Sequence, residues 1–321
     1  MQPQANSRCM TRAADDAPPP PPPPSAQTES RSSCETLNNF RNDMTTITIG
    51  VLALQGAFSE HIQCLRQAAS FLSSTNAQQQ IAWNFIEVRT PEQLSSCDAL
   101  ILPGGESTTI SLVAARSGIL EPLREFVKVQ RKPVWGTCAG LILLAESANR
   151  TKQTGQELIG GLDVRVNRNH FGRQVESFEA ALDLPFLASA GGEEFETSKK
   201  PFRSVFIRAP VVEKLLEPQP GIQELQAKLE DTVIAPSKAP EGEKAKAATG
   251  VKVEIMAKLP GRAKALQERE GENARDLGEE GDIVAVRQGN VFGTSFHPEL
   301  TGDARIHVWW MQQVMEATVE K

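Results

Sequence analysis

Apolar positions along this chain follow two periods, and the switch between them predicts most of its elements. Ile47-Thr48-Ile49-Gly50-Val51-Leu52-Ala53-Leu54 is an apolar, β-branched run of the kind buried in a parallel sheet, and Gln55-Gly56 ends it. Phe58, Ile62, Leu65, Ala69 and Leu72 then recur at spacings of four and three, which predicts one face of an amphipathic helix. Residues 81–88 read as a second strand, 91–94 as a helical turn, and Ala99-Leu100-Ile101-Leu102 as a third strand. Pro103-Gly104-Gly105-Glu106-Ser107 follows, a helix begins near Thr108, and another lies near 120–129. The stretch 133–145 then passes from a β-prone run through Gly136-Thr137-Cys138-Ala139-Gly140 into an Ala/Leu-rich helix. Strands alternating with helices predict a parallel sheet with right-handed crossovers, whose ligands sit beyond the carboxyl ends of the strands. Three loops should meet there: Gln55-Gly56, Gly104 to Ser107, and Gly136 to Cys138.

The second half changes character. Strands are expected at 161–166, 178–182, 204–209 and 251–257, a hairpin at 282–296 around Gln288-Gly289-Asn290, and a closing helix from Asp303 to about Val319. These are antiparallel additions to the mostly parallel sheet. Stretches at about 213–249 and 260–281, rich in Lys, Glu, Ala, Gly and Pro, read as surface insertions, partly helical at 222–230. Residues 1–44 surround the proline run 18–24 with small and polar residues; they read as a disordered leader ahead of a domain at 45–321, and Met44 reads as a possible second start site.

Composition narrows the class. Hydrophobic and charged fractions of 40% and 23% are those of a soluble globular enzyme, and a net charge of −6 disfavours nucleic acid or an anionic membrane as the main partner. No apolar run approaches the roughly 20 residues of a membrane span. Cys9, Cys34, Cys64, Cys97 and Cys138 are odd in number and scattered, without a C-x-x-C pair, which argues against a disulfide framework and suits a reducing, cytoplasmic compartment. No two histidines or cysteines stand at metal-ligand spacing, so no metal site is expected.

The candidate chemistry centres on Cys138. A Gly-x-Cys-x-Gly turn between strand and helix is a nucleophile elbow with sulfur in place of oxygen, and the helix aims its positive end at the thiol; a small buried cysteine is the other reading. Phe296-His297-Pro298-Glu299 supplies a base and a carboxylate two residues on, which in an extended segment projects to the same side. His61 in the first helix, His170 in a loop and His307 in the last helix compete poorly and read as structural or exposed. Gly104-Gly105 before a helix start offers unobstructed backbone donors for an oxyanion; a phosphate loop or a simple turn with Ser107 as N-cap are the alternatives.

These motifs carry a family resemblance. Gly-Thr-Cys-Ala-Gly, Pro-Gly-Gly-Glu-Ser-Thr-Thr and Phe-His-Pro-Glu-Leu, in this order, resemble class I glutamine amidotransferases. Leu54-Gln55-Gly56 and the run 168–179 narrow the likeness to the glutaminase subunit of pyridoxal 5′-phosphate synthase, over about residues 46–316 apart from the insertions. The resemblance implies a flavodoxin-like fold and hydrolysis of L-glutamine to glutamate and ammonia. It implies that Cys138 is the nucleophile, His297 relays the proton and Glu299 orients His297. Gly105, Glu106, Ser107, Arg168, Ile207 and Arg208 would line the glutamine site, with Gly105 and Gln55 near the oxyanion hole. The ammonia would pass to a (β/α)₈-barrel synthase subunit in a hetero-oligomeric complex that makes vitamin B6 cofactor; this chain would hold none. A subunit feeding another synthase, and a non-catalytic scaffold, stay open as alternatives.

Overall fold

The structure, a computed structural model, describes residues 45–75, 81–149, 156–168, 177–189, 200–218, 223–229, 231–243, 245–246, 250–259 and 281–319. The chain divides into Met1–Asp43 and Met44–Lys321, and all described residues belong to the second unit. The expected leader with its proline run, Met44, His170 and residues 260–280 of the second expected insertion lie outside the described residues.

The first half alternates as its periodicity requires: β1 (Thr45–Leu52), α1 (Phe58–Thr75), β2 (Ile81–Val88), α2 (Pro91–Ser95), β3 (Ala99–Leu102), α3 (Ser107–Arg116), α4 (Leu120–Arg124), β4 (Val134–Thr137) and α5 (Ala139–Leu144). A π-helical turn, Glu125–Val129, continues α4. The second half supplies β5 (Ala145–Asn149), β6 (Leu162–Asn167), β7 (Ser177–Leu182), β8 (Phe202–Ile207), β9 (Val211–Leu215), α6 (Glu224–Ala227), β10 (Thr232–Ile234), β11 (Glu254–Leu259), β12 (Asp282–Gln288), β13 (Val291–Thr294) and α7 (Arg305–Val319).

Strands β2-β1-β3-β4-β13 lie side by side, all parallel, in the order of a flavodoxin-like doubly wound sheet. Beyond β13 the 11-stranded sheet continues through β12, β9, β6, β5 and β10, with β11 also on β12; among these pairs only β5 with β6 is parallel. Side chains alternate between the two faces with period two. Ile47, Ile49, Val51, Ile101 and Trp135 face the layer built by α1 (Ile62, Leu65, Leu72) and α7 (Ile306, Trp310, Val314). Leu52, Leu100, Leu102 and Val134 face the layer of α3 (Ile110, Ala114), α4 (Leu120, Leu123) and α5 (Leu141, Leu144). β7 and β8 form a separate antiparallel pair. No helix among the described residues is long and apolar enough to cross a membrane.

Two departures from the sequence reading concern the second half. The helix after Cys138 ends at Leu144, and Ala145–Asn149 is a strand held between β6 and β10. Its Ala-Glu-Ser-Ala-Asn text has little β propensity; two flanking partners make it a strand. The stretch read as an insertion from 213 is also partly sheet. β9 runs to Leu215 between β6 and β12, β10 pairs with β5, and Ala235 is fully buried. Glu213, which reads as solvated, pairs with Arg165 at 3.0 Å.

Lys128 fixes this region to the parallel half. Its buried ammonium lies 2.8 Å from the Glu146 carboxylate on β5 and donates to the Pro236 carbonyl oxygen at 2.7 Å. Glu146 also accepts from the Gly161 amide at 2.8 Å; its pKa is raised, burial outweighing the opposing effect of Lys128. Lys128→Met should strand that carboxylate and cost about 3–5 kcal/mol in denaturant unfolding; an unchanged midpoint and slope would show the pair to be dispensable.

Candidate active site

The elbow is built where β4 ends. Cys138 has φ 48° and ψ −99°, a backbone conformation costly for a residue with a side chain, so the turn's strain sits on the cysteine and not on its flanking glycines. Gly136 and Gly140 serve close approach instead. A Cβ on Gly140 would stand 2.0 Å from the Leu102 carbonyl oxygen of β3, and one on Gly136 2.5 Å from Gly140 itself. Only bare backbone lets α5 fold back this tightly on β3 and β4. The Cys138 amide donates to the Thr294 carbonyl oxygen at 2.8 Å, and its Sγ lies 3.9 Å from the Ile207 carbonyl oxygen.

His297 follows β13 and is anchored by its own amide, which donates to the Val205 carbonyl oxygen of β8 at 2.8 Å. The 3₁₀ turn Pro298–Leu300 comes next. Glu299 therefore reaches the imidazole through a turn and not, as expected, along an extended segment. His297 Nδ1 lies 2.8 Å from Glu299 Oε1, which leaves Nε2 on the side of the cleft that His297 shares with Cys138. Burial alone would lower the His297 pKa. The hydrogen bonds to Cys138 and Glu299 and their negative charges outweigh it and push the value up to about 10. Burial likewise works to raise the Glu299 pKa, but His61 and His297 hold it below the usual carboxylate range. The ring is packed so closely that a Cβ on Gly104 would fall 2.2 Å from its Cε1.

A cleft of about 290 Å³ opens in front of Cys138, lined by Gln55, Gly105, Glu106, Ser107, Ile142, Arg168, Ile207, Arg208 and His297. The three expected loops thus meet at the carboxyl ends of β1, β3 and β4. At the head of α3 the structure corrects one reading: the N-cap is Glu106, and Ser107 is the first helical residue. The Glu106 carboxylate accepts from the amides of Thr108 at 3.1 Å and Thr109 at 2.7 Å and from Thr109 Oγ1 at 2.6 Å. Its own amide donates to Gln55 Oε1 at 2.8 Å. Arg168 is buried at the cleft wall with its amide bonded to Asn149 Oδ1 at 2.8 Å and its guanidinium bonded to Gln156 Oε1. Burial lowers its pKa to about 10 against the pull of Glu106, so it stays cationic at neutral pH.

A cysteine–imidazole–carboxylate line beside a cleft with a buried guanidinium is equipped for acyl transfer from a small anionic substrate. The SNO glutamine amidotransferase family model matches residues 51–240 and 252–316. The chain belongs to the SNO glutamine amidotransferase family. Within that family it is 39% identical over 270 residues to the Arabidopsis thaliana protein named "Probable pyridoxal 5′-phosphate synthase subunit PDX2", covering 84% of this chain and 87% of that one. It is 37% identical over 261 residues to the Herpetosiphon aurantiacus pyridoxal 5′-phosphate synthase subunit PdxT, covering 81% and 97%. A crystal structure of a glutamine amidotransferase superposes with a TM-score of 0.53 at 33% identity, covering 83% of this chain and 98% of the other. Residues 241–251, at the end of the first expected insertion and just beyond it, fall outside the family match.

Two residues set aside in the sequence of this amidotransferase chain prove to adjoin the site. His61 and His307 are fully buried, with His61 Nε2 3.3 Å from Glu299 Oε2 and 3.2 Å from Thr137 Oγ1. The signal was available in the spacing: His61 stands three residues after Phe58 and four before Leu65, on the apolar stripe of α1.

The cysteines differ sharply in setting. Burial pushes the Cys64 and Cys97 thiols up to about 11, whereas Cys138 faces the cleft. Iodoacetamide at neutral pH should therefore alkylate Cys138 well ahead of Cys64 and Cys97, as peptide mass mapping would read; equal labelling of the three would contradict the assigned environments.

Proposed function

We propose that this chain is a glutaminase, hydrolysing L-glutamine to L-glutamate and ammonia, and that the ammonia passes to a (β/α)₈-barrel pyridoxal 5′-phosphate synthase subunit in a hetero-oligomeric, cytoplasmic complex. The observation that carries this reading is the His297–Glu299 pair beside Cys138 at one end of a cleft whose walls hold Arg168, Arg208 and the head of α3. Family membership and the names of the relatives support the substrate and the partner. The catalytic domain is assigned to residues 45–321.

In the proposed reaction the Cys138 sulfur, its proton held by His297, attacks the side-chain carboxamide carbon, a C–S bond forms, and the carbonyl π electrons move onto oxygen. His297, protonated at neutral pH, gives its proton to the amide nitrogen, and ammonia leaves as the carbonyl re-forms in a thioester. Water then adds to the thioester as His297 takes one of its protons, and collapse breaks the C–S bond, releasing glutamate, whose new carboxyl loses its proton to solvent, and returning the sulfur beside protonated His297. Glu299 holds the imidazole with Nδ1–H toward itself and stabilises its charge throughout. Arg168 complements the substrate carboxylate, while Gly105, Glu106, Ser107, Ile207 and Arg208 shape the rest of the glutamine site. The Cys138 amide is already bonded to Thr294 and cannot meet the oxyanion. That role falls to the Gly105 peptide, with Gln55 beside it; moving Gln55 off the Glu106 amide when the partner docks would free a further donor.

Two measurements test the reading. Cys138→Ala should abolish glutamate release, and wild-type release should rise when the barrel-type subunit is added but not with other synthases; activity retained in the alanine variant would sink the assignment. The pH dependence follows from the His297 shift: its imidazolium exists below about pH 10 and is lost above it, so the alkaline limb of kcat/KM should lie there. Glu299→Gln removes the negative partner, lowers the His297 pKa and should bring that limb toward neutrality, with a fall in kcat.

A further inference from the structure

Glu299 has a second oxygen, and the residues around it form a continuous buried line. His297 Nδ1 meets Oε1 at 2.8 Å. Oε2 is sealed from solvent, has no hydrogen-bond partner among the described residues, and faces His61 Nε2 at 3.3 Å. The hydrogen-bond direction of that nitrogen falls on Thr137 Oγ1, 3.2 Å away, on the residue directly before the nucleophile. On its other side His61 Nδ1 lies 3.0 Å from His307 Nε2. His307 Nδ1 is buried without a partner among the described residues, and Trp135 packs edge-on against both rings.

The unpartnered nitrogen fixes the tautomers. If His61 donated through Nδ1 to His307, then His307 would carry its proton on Nδ1, a buried N–H with no acceptor. The bare Nε2 lone pair of His61 would also face a carboxylate oxygen. The reverse arrangement leaves only a lone pair unmatched and turns the His61 Nε2–H toward Glu299 and Thr137; orphaned buried N–H groups are much the rarer defect. We propose that His307 and His61 are positioning residues of the glutaminase site: His307 donates Nε2–H to His61 Nδ1, and His61 in turn presents Nε2–H to Glu299 Oε2 and Thr137. Glu299 is thereby held as a carboxylate aimed at His297, and the elbow is tied to the same hub. This rests on the proposed glutaminase reading.

Burial lowers the pKa of His307 well below its usual value and lowers that of His61 despite Glu299, so both rings are neutral donors at neutral pH. The charged groups acting on His61 are Glu299 and His297 beyond β13 and Glu60 on α1, while β4 contributes neutral Thr137 and Trp135. Further out, Asp303 acts on Cys64, whose Sγ lies 3.9 Å from the Glu299 carbonyl oxygen.

The chain has four histidines, so ¹⁵N-histidine NMR of the whole protein reads the arrangement directly, with His61 and His307 assigned from variants. Both rings should appear as neutral Nε2–H tautomers from pH 5 to 8, the window flanking the usual imidazole pKa of about 6.5. A charged ring, or Nδ1–H on His61, would overturn the proposal. Kinetics with the synthase subunit give the functional arm. His61→Phe keeps the aromatic packing but removes the donor; it should lower kcat about 10- to 100-fold with KM little changed. It should also move the acid limb of kcat/KM upward, because Glu299 loses the Nε2–H that faces its Oε2 at 3.3 Å. His61→Gln, whose amide nitrogen can reach the Nε2 position, should recover most of the rate. A folded His61→Phe protein with wild-type kcat and an unmoved limb defeats the proposal. Absence of glutamate release from the wild type would instead defeat the glutaminase reading, while the NMR would still decide the tautomers.

Discussion

The parallel pairing of β4 with β13 is the constraint from which the site follows. Thr137 stands opposite Thr294, and the Cys138 amide completes the ladder on the Thr294 carbonyl oxygen. Two strands in this register leave the sheet at the same height, so residues far apart in the chain, Cys138 and His297, emerge side by side with no long loop to position them. β3, paired to β4 on the other side, delivers Gly104 and Gly105 to the same edge. Cys138, His297 and the head of α3 are thus placed by backbone hydrogen bonds, which tolerate little drift, and the side chains have only short distances left to cover.

What the sheet positions, burial then sharpens. The carboxylate of Glu299 and the imidazole of His297 are both removed from water, a placement that is unfavourable for each alone and tolerable only because they face one another and Cys138. The closeness of Gly104 to the imidazole excludes water from that side, so the charges of the triad are poorly screened. Lys128 and Glu146 form another buried pair with a different consequence. They meet a carbonyl and an amide of the surrounding backbone and join the parallel half of the sheet to β5 and to the chain after β10. One pair stabilises a proton at a reactive nitrogen; the other fastens structure.

The legible part of this fold was the part in which each residue's own neighbours in sequence decide its conformation. The β1 run, the stripe of α1 and the elbow at Cys138 each carry a local period or a local turn, and the parallel block with its helices could be read from them. β5 and β9 could not. Ala145–Asn149 and Val211–Leu215 become strands because partners stand on both sides of them, a fact held by other parts of the chain. The same limit applied within the site. Gln55, the 105–107 segment, Arg168 and the 207–208 pair came from family resemblance, and all line the cleft. The cap at Glu106 was misplaced by one residue because Ser is the commoner cap, whereas here a carboxylate spans two amides at once. His61 and His307 were set aside because a histidine on an apolar stripe is compatible with many roles; only the third dimension shows what it faces.

The division of labour between rigid and adjustable parts can be argued from the amides around the sulfur. Cys138 has spent its own N–H on Thr294, and the strained backbone at that residue is locked between β4 and α5. Moving Cys138 would break the strand ladder that also places His297. The Glu106 amide, by contrast, is satisfied by a side chain, Gln55, on a different loop, and a side-chain partner can be exchanged without disturbing the sheet. Rearrangement is therefore cheapest at Gln55 and the 104–106 peptides, where backbone donors already lie beside the cleft. A site arranged in this way can hold Cys138 and His297 fixed on the sheet and still free the Glu106 amide when the Gln55 contact is released.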